Sequence, residues 1–122
     1  MKIQGLTESE EEVMRKIWEL ATPVSSAMLL EAFAENRGWK SQTICTFLSR
    51  LVGKNYLSVK KQGTTNEYKA IITKTEYEQL SAQQFIMKCY NGSLKNMIAS
   101  LADGGGISDE EIAELKKWFN ER

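Results

Sequence analysis

Residues 40–54, KSQTICTFLSRLVGK, constrain the fold of this chain more than any other stretch. Ile44, Phe47, Leu48, Leu51 and Val52 recur at i, i+3, i+4, i+7 and i+8, the apolar stripe of a helix with one buried side. The opposite side holds Gln42, Thr46, Ser49 and Gly53, with Lys40, Thr43 and Arg50 beside them and no carboxylate. Short hydrogen-bonding side chains and cations on one exposed face match what a DNA major groove presents. Gln pairs bidentately with adenine, Arg with guanine, and Thr meets a thymine methyl or a phosphate. A plain solvated helix face would use similar residues, so the surroundings have to decide.

Charge distribution favours the groove. The chain of 122 residues carries 16 Lys+Arg and 16 Asp+Glu, a net charge of zero that argues against a general polyanion binder. The charges are not mixed, however. Residues 1–36 hold 3 basic and 7 acidic groups, residues 37–69 hold 7 and 1, and residues 70–122 hold 6 and 8. A basic block between acidic flanks is the footprint of a phosphate-binding face that keeps the rest of the molecule off nucleic acid.

With no histidine and only Cys45 and Cys89, far apart and without a CxxC spacing, the inventory excludes a zinc site, a Cys-His nucleophile and a Ser-His-Asp triad. No enzyme, metal or cofactor is expected, and both cysteines read as reduced packing thiols. No apolar run reaches the ~18 residues of a membrane span and no signal-peptide h-region stands at the N-terminus, so the expectation is a cytoplasmic protein without membrane insertion.

The local signals give an element order. Thr7 and Glu10 form a capping box that opens a helix with Val13, Met14, Ile17, Trp18 and Ala21 on its buried stripe, ended by Pro23. Val24 is a very short extended piece. Ser25 or Ser26 caps a second helix, with Met28, Leu29, Ala32 and Phe33 inward, closed at Gly38. The third helix is residues 40–54, stopped at Asn55. Residues 56–61 and 66–72 then alternate as two half-buried strands, Leu57 and Val59 facing one way and Tyr68, Ala70 and Ile72 sharing a side. Gln62-Gly63-Thr64-Thr65 is the polar hairpin tip, with Lys60 and Lys61 leading in. A hairpin directly after a groove-facing helix is the wing of a winged helix-turn-helix, laid against phosphates.

From Thr75 onward the pattern is helical throughout. Leu80 belongs to a long first segment, Leu94, Met97, Ile98 and Leu101 to a second capped by Ser93, and Ile112, Leu115 and Trp118 to a last one opened by the Ser108–Glu111 capping box. Helices of this size cannot bury these stripes against one another, so the eight residues just named are expected to form a homodimer interface, as a palindromic site also requires. The fold class is therefore mainly α with a small β-hairpin wing: a winged helix-turn-helix domain over 1–73 and a C-terminal helical dimerisation region over 74–122. Three glycines at 104–106 are expected to make the end of the middle helix prone to fray.

EEEVMRKIWEL, GWKSQTICTFLSRLVGKNYLSVKKQG, Tyr68 after the wing, and FIMKCYNGSLKNMIASL together resemble the penicillinase-repressor family, BlaI/MecI, which also includes the copper-responsive CopY repressors. The resemblance runs from about Leu6 to the C-terminus. It implies a homodimeric winged-helix repressor on a palindromic double-stranded DNA operator before resistance or peptidase genes. It also implies a sensor metallopeptidase system that triggers cleavage in the C-terminal helices. Carried over residue by residue, DNA contacts fall on Lys40, Gln42, Thr43, Thr46 and Arg50, with wing contacts on Lys60 and Lys61. Ser41 in the same first turn and Thr64 at the tip complete the candidate set.

Three departures bear on the resemblance. The family's usual Ser-Pro-Lys-Thr reads Lys40-Ser41-Gln42-Thr43, its scissile Asn-Phe aligns with Ser100-Leu101, and the Cys-rich copper motif is absent. Two other classes stay open: a MarR-like ligand-responsive regulator, marked by a polar-lined pocket between the helix bundle and the winged domain, and a winged-helix protein-interaction module, marked by a large apolar or aromatic anchor on residues 40–54.

Overall fold

The structure, a computed structural model, describes residues 2–21 and 23–122. The order is α1 (Glu8–Leu20), α2 (Ser26–Ala32), α3 (Ser41–Gly53), β1 (Leu57–Gln62), β2 (Thr65–Ala70), α4 (Lys74–Tyr90), α5 (Leu94–Asp103) and α6 (Asp109–Asn120). Two compact units result, Met1–Leu80 and Ser81–Arg122. The mainly helical class with one small hairpin is as the sequence led one to expect.

Capping chemistry sets most helix ends. Thr7 accepts the Glu10 amide while Glu10 reaches back to the Thr7 amide, and the Ser108–Glu111 pair repeats the device at α6. Ser25 caps α2 and Ser93 caps α5. A third reciprocal pair, Thr73 with Glu76, opens α4 one residue earlier than the periodicity suggested. Asn55 and Asn91 take left-handed conformations, with φ of 66° and 51°, where helices α3 and α4 stop.

The first unit has a single core. Val13, Met14 and Ile17 of α1, Leu29 of α2, Phe33, and Ile44, Leu48 and Leu51 of α3 are buried with Tyr56, Leu57, Tyr68, Ile72 and Tyr77. Val24 pairs with Tyr68 through reciprocal backbone bonds of 2.8 and 2.7 Å, so the short extended piece lies beside β2. Strands β1 and β2 are antiparallel, with Leu57 opposite Ala70 and Gln62 opposite Thr65. The turn is thus only Gly63-Thr64, tighter than the four-residue tip expected. Gly63 takes φ +62°, as a primed hairpin turn needs at its first central position.

Three side chains expected inside are not. Ala21 is the exposed C-cap of α1, left-handed at φ 55°, because the chain must leave the helix before Pro23. Met28 is exposed because the two-turn α2 turns only Leu29 fully inward. Val59 is exposed because the hairpin runs out past the core after Leu57.

The second unit contains no buried residue among those described. Phe85, Leu94, Leu101, Trp118 and Phe119 are exposed, Trp118 at 46% and Phe119 at 50%. Cys89 is exposed as well, contrary to its expected packing role, whereas Cys45 is half-buried. The glycines at 104–106 lie beyond α5 rather than within it. Gly105, at φ +75°, donates its amide to the carbonyl of Ala102, and Gly106 donates to that of Leu101 at 2.7 Å. This is a closed Schellman cap, so the propensity cost falls outside the helix and the last carbonyls are satisfied. The expected fraying loses that basis.

Candidate nucleic-acid interface

Helix α3 exists where it does because its stripe is consumed by the core. Ile44, Leu48 and Leu51 are fully buried, and Phe47 and Val52 pack against them half-buried. Everything the core does not take faces out. Lys40, Ser41, Gln42, Ser49, Arg50 and Gly53 are exposed, and Thr43 and Thr46 half-exposed. Lys40 is the N-cap of α3, with no side-chain bond to the helix start and no acid in the first turn, so the positive end of the dipole is left unneutralised. Thr46 donates its hydroxyl to the Gln42 carbonyl at 3.0 Å, which directs its hydroxyl onto its own helix. On the wing, Lys60, Lys61 and Thr64 are exposed; Lys60 faces Glu67 in register without closing an ion pair.

The basic block divides in a way its sum does not show. Arg37 grips Glu12 with two bonds, one of 2.8 Å, and Lys54 donates to Glu10 at 2.6 Å. These two cations are used internally. Lys40, Arg50, Lys60, Lys61 and Lys69 form no ion pair and no side-chain hydrogen bond among the described residues. Free positive charge therefore sits on α3 and the hairpin. The acids beneath α3 are firmly ionised. Burial works to raise the Glu10 carboxyl, yet the Lys54 ammonium and the Thr7 amide outweigh it and hold its pKa below the ordinary value. The Tyr77 hydroxyl, donating at 2.6 Å, does the same for Glu11, and Arg37 does it for Glu12.

Sequence reasoning missed the Glu10 and Glu12 partners, which lie 44 and 25 residues from the groups they bind. No local pattern marks such pairs. The candidate dimer residues divide: Leu80 lies in the first unit and packs half-buried against its core, while Leu94, Met97, Ile98, Leu101, Ile112, Leu115 and Trp118 all lie in the second. Ser100 and Leu101 are exposed on α5. No helix of the described residues is long and apolar enough to cross a membrane.

Three helices with a hairpin after the third, and a third helix bare of acids on its outer face, define a winged helix-turn-helix of the nucleic-acid-binding class. The family model described as penicillinase repressor matches residues 6–121, and the chain belongs to that family. It is 29% identical over 120 residues to the penicillinase repressor of Bacillus licheniformis, covering 98% of this chain and 93% of that one. It is 26% identical over 121 residues to the methicillin resistance regulatory protein MecI of Mammaliicoccus sciuri, covering 99% and 98%. Among solved structures it resembles the DNA-binding domain of the repressor BlaI, with a TM-score of 0.55 and 29% identity over 63% of this chain and 94% of that one. It also resembles the monomeric form of Bacillus licheniformis BlaI in complex with the blaP half-operator, with a TM-score of 0.52 and 29% identity over 62% and 92%. The winged-helix expectation and the family resemblance are both borne out.

Proposed function

We propose that this chain is a transcriptional repressor that binds a palindromic double-stranded DNA operator as a homodimer and controls resistance or sensor-peptidase genes. The observation that carries this is that, within the basic block of residues 37–69, the unengaged cations Lys40, Arg50, Lys60, Lys61 and Lys69 all lie on α3, its N-cap and the hairpin, while the neighbouring Arg37 and Lys54 are neutralised from within. The half-operator complex of the related BlaI supports the DNA-binding part of this reading. On this reading α3 enters the major groove, Gln42 and Arg50 read base edges, Thr43 and Thr46 make shorter contacts, and Lys40 and Ser41 meet phosphate at the helix start. Lys60, Lys61 and Thr64 grip the backbone alongside.

Residues 1–73 are the DNA-binding part and 74–122 the dimerisation part. The exposed apolar residues of α5 and α6 support pairing with a second copy, since a unit without a buried residue leaves its apolar surface in water. Derepression follows cleavage near Ser100-Leu101 under a sensor metallopeptidase system, which separates the two half-site readers. Because α5 is capped, its last turn must unwind before a protease finds an extended substrate.

A footprint on the DNA upstream of this protein's own gene tests the reading. Two protected half-sites related by a two-fold axis are expected. With that duplex, Gln42→Ala and Arg50→Ala should relax base preference at one position per half-site, and Lys60→Ala and Lys61→Ala should weaken every sequence alike. No protection at any concentration would overturn the proposal.

A further inference from the structure

The exit of α3 and the connection that leads into it are both tied to α1 by acids two positions apart. At the exit, the C-cap residue Lys54 donates to Oε1 of Glu10 at 2.6 Å and to the Gly5 carbonyl at 2.9 Å. At the entry, ahead of the Lys40 cap, the Arg37 guanidinium forks onto both carboxylate oxygens of Glu12 and lies 5.3 Å from the centroid of Trp39. Trp39 itself packs at 4.9 Å from both Phe33 and Phe47, so this pair is joined to α2 and to α3.

The interdigitated core side chains set how α3 crosses α1, and ion pairs outside that core add directional bonds that hydrophobic attraction alone does not supply. Lys54 at the exit of α3 and Arg37 on the connection into it act beyond the core, where leverage is greatest. A helix of 13 residues is about 20 Å long, so rocking it by about 5° around one end moves the other by nearly 2 Å. A base-edge hydrogen bond tolerates a few tenths of an ångström. A cation facing phosphate tolerates far more, since Coulomb attraction falls off slowly with distance.

We infer that Glu12 and Glu10 are positioning residues for sequence reading, which fix the angle of α3 on α1 through Arg37 and Lys54. In doing so they also withdraw two cations from indiscriminate phosphate contact. The inference rests on the proposed groove-reading role of α3 and assigns its accuracy to residues that touch no DNA.

The measurement is the ratio of affinities of the full chain for the footprinted duplex and for a scrambled duplex of equal length, in the same salt. In Glu12→Gln the ratio should fall about ten-fold, the scale of one direct base contact. Arg37→Lys, which keeps the charge and loses the fork, should lower it too. The exchange Glu12→Arg with Arg37→Glu should restore it. If Glu12 merely hides a cation, freeing Arg37 raises both affinities alike and leaves the ratio unchanged. If it merely stabilises the fold, the melting temperature drops and the ratio of the folded protein again stays put. Either result overturns the inference.

At the inner pair, where Glu10→Gln endangers folding, Lys54→Arg should keep the ratio and Lys54→Gln should reduce it; equal ratios would remove Glu10 from the role. A wild-type chain that binds both duplexes equally would instead overturn the proposed function beneath.

Discussion

A single oxygen of Glu10 receives both the Thr7 amide, at 2.9 Å, and the Lys54 ammonium, at 2.6 Å. The cap of α1 and the exit of α3 therefore depend on the same carboxylate, which is only 1% exposed. A buried charge this well satisfied is costly to orphan.

Lys54→Met should accordingly destabilise the first unit by about 2 to 3 kcal/mol, less than for a fully buried pair because the Lys54 side chain is 23% exposed. Urea unfolding monitored by tryptophan fluorescence measures it. A change under about 0.5 kcal/mol would mean that the pair contributes as little as a surface ion pair.

Acid should erode the same stability. Glu10, Glu11 and Glu12 have folded pKa values below the ordinary 4.5, so the unfolded chain binds more protons as pH falls and their contribution is present above 4.5 and lost below it. Urea midpoints taken between about pH 3 and pH 6 should decline towards acid, and Glu12→Gln, which leaves the buried Glu10 pair in place, should flatten part of the decline. A midpoint that rose on acidification would contradict the sign.

Salt dependence should count the free cations. With Lys40, Arg50, Lys60, Lys61 and Lys69 unengaged, the log-log slope for one half-site should be no steeper than roughly −4.5, at about −0.9 for each phosphate contacted. Lys60→Ala should make the slope shallower by about 0.9. A slope near zero would remove phosphate contact from the mechanism.

Gly105→Ala should strain the α5 cap, because φ is +75° there while nothing crowds an added Cβ. The expected cost to the second unit is about 1 kcal/mol. Limited proteolysis should then cut faster around Ser100-Leu101, with fragments identified by mass. An unchanged rate would mean that opening of this turn does not govern access.

What was legible in the sequence was local. Thr7 with Glu10, Ser108 with Glu111, and the left-handed Asn55 act within one helical turn of themselves, so residue type and spacing determine them. Thr73 with Glu76 is equally local, but the helix it opens starts one residue ahead of the point from which the apolar pattern reads as helical. The stripe of α3 placed Ile44, Leu48 and Leu51 in the core because a thirteen-residue amphipathic helix has one way to bury that side. Met28 and Val59 failed because their elements are too short, or reach too far past the core, for periodicity to decide exposure. Ion-pair partners failed for another reason: which of seven acids in residues 1–36 meets Arg37 or Lys54 depends on how α1 and α3 cross. For the same reason the basic block looked larger as a sum than as an accessible surface.

If α5 and α6 pair with a second copy, as proposed, the lack of any buried residue from Ser81 onward ties the fold of that unit to abundance. On the dimer reading, its stability is a matter of mass action: the more chain the cell holds, the larger the fraction in which α5 and α6 are sheltered. Dilution by cell division would then act twice, emptying the operator and leaving the remaining protomers easier to degrade, so repression would decline more steeply than copy number.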